Sequence, residues 1–144
     1  MFRFFLDYYP YLMAVVFLTV FFGVRMPAKG FFFLRALTAL VIAIVLAHLN
    51  RWFLFDPRHV FFPSGHMTFC LGISISLGML RPWTLAITLP LLIPFGRGLV
   101  TMHYHSTFDV LGAIPLVLVV YGIIHWLWRL PLASPPLDMG SDSP

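Results

Sequence analysis

The sequence predicts an all-α, multi-pass membrane helical bundle of about five transmembrane helices, and three observations carry that prediction. Of the 144 residues, 60% are hydrophobic and only 10% are charged, whereas a soluble domain carries about 25% charged residues. The mean hydropathy is +0.94. The apolar residues also fall in runs close to the ~20 residues that a helix needs to cross the hydrocarbon core. Residues 1–130 read as one transmembrane domain, since the spans use nearly all of that length. Residues 131–144 (PLASPPLDMGSDSP) read as a flexible tail rich in Pro, Ser and Asp.

The first span is expected over residues 9–24, with Phe4 and Phe5 as an extension. Asp7 and Pro10 interrupt the run and no small-x-small cleavage site follows it, so it reads as a retained span rather than a signal peptide. The second is expected over 30–49. The third covers 63–80, with Ser64 placed to cap its start; Gly72, Ser74, Ser76 and Gly78 on it are small enough for a neighbouring helix to approach closely. The fourth covers 82–95, and Pro90 and Pro94 predict a kink or an early end there. The fifth covers 106–128, with a bend expected at Pro115. Trp52, Trp83, Trp126 and Trp128 fall near span ends, where an aromatic belt sits.

Composition also excludes several classes. The +4 net charge comes from nine basic residues scattered singly between apolar runs, so no basic patch or reading module for nucleic acid exists. The single cysteine, Cys70, excludes an intramolecular disulfide and a CxxC metal site.

Five spans place the loops alternately on two faces. The N-terminus and the loops carrying Arg51, Arg58, His66, Arg97 and His105 fall on one face. Arg25, Lys29, Arg35, Arg81 and Arg129 fall on the other. If Arg51, Arg58 and Arg97 are kept for chemistry, the remaining basic residues divide five to one. The positive-inside rule then puts the second face in the cytoplasm and the chemistry on the non-cytoplasmic side.

The polar residues on that face form a constellation. Pro63-Ser64-Gly65-His66 is followed by Arg97, His105 and Asp109 in otherwise apolar sequence. A charge in mid-membrane costs about 2.5–3.5 kcal/mol on insertion scales, so such residues belong at an interface or in chemistry. Transfer of a phosphoryl group without a metal needs a nucleophile, a group that orients it, an acid for the leaving oxygen, and donors around the phosphoryl oxygens. His105 and Asp109, four residues apart, would share a helical face, with the carboxylate holding one imidazole nitrogen and leaving the other to attack. His66 is the expected acid and base. Ser64 and Gly65 stand at a helix start, where free amides favour an anion. Arg51, Arg58 and Arg97 would converge on the phosphate. No acidic cluster is present to hold a metal, so neither metal nor cofactor is expected. His48 and His125 read as interfacial, His59 as a loop residue, and Asp56-Pro57 as a turn.

In these residues the chain resembles the type 2 phosphatidic acid phosphatase superfamily, which includes sphingomyelin synthases and inositol phosphorylceramide synthases. That family carries Lys, six residues, Arg-Pro; then Pro-Ser-Gly-His; then Ser-Arg, five residues, His, three residues, Asp. Here the first motif reads Arg51, six residues, Arg58-His59, and the second is complete at Pro63 to His66. In the third, Gly96-Arg97 replaces Ser-Arg, and seven residues separate Arg97 from His105, while His105 to Asp109 fits the final spacing. His103 has the family's spacing from Arg97 but stands six residues from Asp109; His105 is preferred because the His–Asp pair must touch, whereas an arginine can reach across a loop. The resemblance covers residues 51–112. It implies a five- or six-helix membrane fold, a phosphohistidine intermediate and a lipid phosphate substrate.

The expected function is thus a membrane-embedded lipid phosphate phosphatase. His105, His66 and Asp109 would be its catalytic residues, and Arg51, Arg58, Ser64, Gly65 and Arg97 would hold the substrate. Two alternatives stand beside it: a lipid head-group phosphotransferase, and a catalytically silent protein that binds lipid phosphates. Membrane lipids, and no nucleic acid, are the expected partners.

Overall fold

The computed structural model describes residues 2–25, 29–53 and 62–128, with side chains for 4–25, 29–49 and 62–128. These form five helices: α1 (Phe2–Gly23), α2 (Lys29–Phe53), α3 (Gly65–Leu80), α4 (Leu85–Thr101, entered through a 3-10 turn at Pro82–Thr84) and α5 (Thr107–Leu127). The described residues contain no strand. The expected tail, the Asp56-Pro57 turn, Arg58 and His59 lie outside the described residues.

Four segments, Phe4–Gly23, Lys29–Leu49, Pro82–Thr101 and Thr107–Leu127, are long and apolar enough to cross a membrane. Their outer faces expose large apolar side chains, among them Val15, Phe22, Val41, Val45, Ile87, Ile93, Val119 and Ile123. A water-soluble protein does not present apolar surface on this scale, whereas hydrocarbon accepts it without penalty. The chain is an integral membrane protein with an all-α bundle fold.

The third helix is the exception. At 16 residues it measures about 24 Å, short of the core thickness. It is also the hub of the bundle, packing against α1, α2, α4 and α5, with 10 of its 16 residues buried. Small residues make this possible. A side chain at Gly72 would meet Leu40 of α2 at 2.8 Å and the Tyr121 hydroxyl of α5 at 3.0 Å. That hydroxyl donates to the Gly72 carbonyl (2.9 Å) and lies 3.0 Å from Ser76 Oγ. A buried tyrosine thus keeps its polar end satisfied while fixing α5 to α3. The second helix contributes a stripe of buried alanines (Ala36, Ala39, Ala43 and Ala47), which lets helix backbones approach closely. Aromatic packing joins α1 to α4, where fully buried Phe95 meets the Tyr9 ring at 4.7 Å between centroids.

The fourth helix differs from expectation. It neither ends at Phe95 nor stops at its prolines, but continues through Pro90 and Pro94 to Thr101. Both prolines lie on the exposed face, where the ring displaces no packed neighbour. Arg97 consequently stands in the closing turns of the helix rather than in the loop beyond. Pro10 and Pro115 likewise sit inside α1 and α5.

Just before α3, Phe62 stacks on Phe108 at 4.7 Å and covers Gly112, where a Cβ would collide with its ring. Gly112→Ala should therefore lower stability by about 1–3 kcal/mol, as overpacking does, and displace Pro63 and Ser64. Thermal unfolding in detergent checks this; Phe62→Leu in the same chain should restore much of the loss, and an unshifted melt in the single variant would contradict it.

Candidate active site

The site is built where the starts of α3 and α5 meet. The peptide bond Phe62–Pro63 is cis, and the chain then enters α3 with Ser64 as cap, its hydroxyl oxygen accepting the Met67 amide at 3.3 Å. The Ser64 amide donates to the Asp109 carbonyl at 2.8 Å. This one backbone bond holds two chain segments, 45 residues apart, in register. Ser64, expected to hold substrate, is fully buried. Its hydroxyl builds the helix start, which leaves the first-turn amides of Gly65 and His66 directed out of the helix as its anion-attracting donors.

His66 occupies the first turn of α3 and is exposed; His105 lies just before α5 and is half-buried. Their rings stand edge to face, 5.9 Å between centroids. The turn after α4 secures His105: the amides of Tyr104 and His105 both donate to the Leu99 carbonyl, at 3.0 and 3.2 Å. The reversal is made at His103, whose φ of 58° is left-handed, a region histidine enters more readily than most residues. His103 itself is exposed. The geometry thus joins His105, not His103, to His66.

The shared helical face expected for His105 and Asp109 is not found. His105 precedes α5, so the two residues do not share a helical face. Asp109 is the third residue of α5 and closes a capping box with Ser106. Its Oδ2 accepts the Ser106 amide at 2.8 Å, and its own amide donates to Ser106 Oγ at 3.1 Å. The carboxylate is only 5% exposed, and its charge acts on the His105 imidazole. Burial, the largest influence, lowers the His105 pKa; the neighbouring charge of His66 lowers it further, and Asp109 opposes both. His105 therefore favours its neutral form, whose ring nitrogen can act as a nucleophile.

Two cavities flank the start of α3. The larger, about 810 Å³, runs between α4 and α5 over α3, and Arg97 lies on its lining with Met67 and Thr107. Arg97 is exposed and its carbonyl accepts the Thr101 hydroxyl at 2.8 Å. The smaller, about 350 Å³, is enclosed by α1, α2 and α3 and is lined by both His66 and His48. His48 is a neighbour that the sequence reading missed. Its Nδ1 is 2.8 Å from the Ile44 carbonyl, and a Cβ at Gly65 would lie 3.2 Å from its Cε1. The available signal was its position three residues before Arg51, one helical turn away. A side chain at Gly65 would crowd the imidazole, which would have to give by a few tenths of an ångström. Arg51 lies in the last turn of α2, its side chain outside the described residues, as is the whole of Arg58. Among the described residues, no group of three or more His, Cys, Asp or Glu is arranged to hold a metal ion.

Comparison with known proteins gives no match: no family model, no curated protein and no solved structure is significantly similar to this chain.

Proposed function

We propose that the protein is a membrane-embedded phosphatase of lipid phosphates acting through a phosphohistidine. The observation that carries the reading is the His66–His105 pair, 5.9 Å apart at a helix N-terminus, with the buried Asp109 charge acting on the second ring. A nitrogen of neutral His105 attacks phosphorus and forms an N–P bond as the ester P–O bond breaks. The departing alkoxide takes its proton from His66. Water then gives a proton to His66 and attacks the phosphorus, the N–P bond breaks, and inorganic phosphate leaves with His105 restored. Arg97 and the first-turn amides of α3 stabilise the charge on the phosphoryl oxygens, with Arg51 and Arg58 as further donors.

The cavity at His66 and His48 favours a second reading. At about 350 Å³ it falls within the size range of small-ligand pockets, so a lipid alcohol in place of water would make the protein a head-group phosphotransferase.

The test is release of inorganic phosphate from a panel of lipid phosphates by purified protein. Activity is expected to survive EDTA; loss in chelator with recovery in a divalent ion would contradict the mechanism, and release from no lipid phosphate would leave a silent binding protein. Because the neutral form of His105 attacks and its pKa is lowered, activity should fall as pH drops through a value below about 6.5. An acid limb well above that value would contradict the assignment.

The distribution of basic residues supports an active site on the non-cytoplasmic face. Met102→Cys and Arg81→Cys, each in a Cys70→Ser background, mark the two sets of loops. In intact cells an impermeant thiol reagent should label the first and not the second; the opposite pattern would reverse the orientation.

A further inference from the structure

We infer that the groove between α4 and α5 is the seat of the substrate's apolar chain, so that the substrate is an anionic lipid whose phosphate-bearing end lies at Arg97 and whose tail lies along Met67, Leu71, Leu92 and Ile114. This rests on the reading of His66 and His105 as phosphoryl-transfer groups and adds the location and chemistry of the tail site.

The groove has two unlike ends. Among the described residues, Arg97 is the one ionisable residue on its lining, and it sits with Thr101 and Thr107 at the end nearest His66 and His105. Met67, which follows His66 in the chain, lines the same end, so this end of the groove lies one residue along α3 from His66. From there the lining is apolar as far as Leu85 on α4 and Leu118 on α5. Thr107 to Leu118 spans 11 helical steps, about 16 Å, or roughly half the ~30 Å hydrocarbon core. A positive mouth on an apolar trough one leaflet deep is complementary to an anionic head joined to one hydrocarbon chain. The volume, about 810 Å³, lies within the range of pockets that enclose most of a bound ligand.

The test uses the full chain in phosphatidylcholine vesicles containing a small fraction of a single-chain alkyl phosphate with a diazirine midway along the chain. After photolysis, adducts should concentrate on Leu89, Ile93, Leu111 and Ile114. Excess unlabelled alkyl phosphate should suppress them, extra phosphatidylcholine should not, and Arg97→Gln should weaken them. Labelling spread evenly over Val15, Val45 and Ile123, or indifferent to the competitor, would overturn the proposal. So would a stable dimer that shields Ile93 and Ile114, which would assign the groove to a second copy. This readout does not depend on turnover: absence of phosphate release would remove the enzymatic reading, while focused and competed labelling would still place a lipid phosphate in the groove. If turnover is present, Ile114→Trp should lower the ratio of long-chain to short-chain kcat/KM about tenfold, as expected when roughly two methylenes are expelled. An unchanged ratio in a variant with an unaltered melt would count against the site.

Discussion

His105→Ala is expected to reduce phosphate release on the order of 10⁴-fold or more, because the substitution removes the atom proposed to bond to phosphorus rather than one that assists it. His103→Ala should keep a substantial share of activity. The contrast follows from the turn after α4. The amides of residues 103–105 all bond back to α4, the left-handed step at His103 turns the chain, and only His105 is brought beside His66. The stability of the two variants separates mechanism from folding. His105→Ala should melt close to the parent, since its backbone bonds remain. His103→Gly accepts the left-handed φ without strain and should be at least as stable as the parent. Steady-state kinetics with melts of all three variants checks this; full activity in His105→Ala would transfer the nucleophile to His103.

The second large effect is expected at Asp109, where two consequences can be separated by the choice of substitution. Asp109→Asn retains an oxygen that can accept the Ser106 amide, so most of the capping box survives while the charge is lost. A nitrogen that bonds to phosphorus makes its ring more positive, and a nearby carboxylate stabilises that change. Turnover should therefore fall roughly 10²- to 10⁴-fold, as when the carboxylate behind a catalytic histidine is neutralised. Since Asp109 raises the His105 pKa against the lowering by burial and His66, its neutralisation should move the acid limb to lower pH. Asp109→Ala removes the acceptor as well and should also lose about 1–3 kcal/mol of stability, the usual cost of leaving a buried donor without a partner. A pH–rate profile for Asp109→Asn is the discriminating measurement. An unmoved limb with full turnover would make Asp109 a helix cap and nothing more.

What the sequence made legible was local. Apolar runs located all five helices, the Ser64 cap was visible as a serine before an apolar run, and the small residues of α3 pointed to close approach, now seen at Gly72. What escaped depends on tertiary placement. Pro90 and Pro94 are tolerated because both face outward, which periodicity does not reveal when both sides of a helix are apolar. The i, i+4 spacing of His105 and Asp109 suggested one helical face, yet the helix begins at Thr107 because Ser106 and Asp109 satisfy each other's amides. The Ser-x-x-Asp pattern was present in the sequence and is a recognised start signal. His48 reaches Gly65 only because α2 and α3 pack face to face, and the 810 Å³ groove exists only once α4 and α5 diverge over α3; neither has a counterpart in any short stretch of chain.

The central claim is that phosphorus passes through His105. Purified protein is mixed with a lipid phosphate carrying labelled phosphorus, quenched within the first turnovers and digested for peptide mapping. One phosphoryl group, labile in acid and stable in base, should appear on His105 and be absent from His105→Ala. A label that is stable in acid, or one that maps to His103, Ser64 or Ser106, would contradict the account, as would phosphate release continuing with no labelled enzyme at any time point.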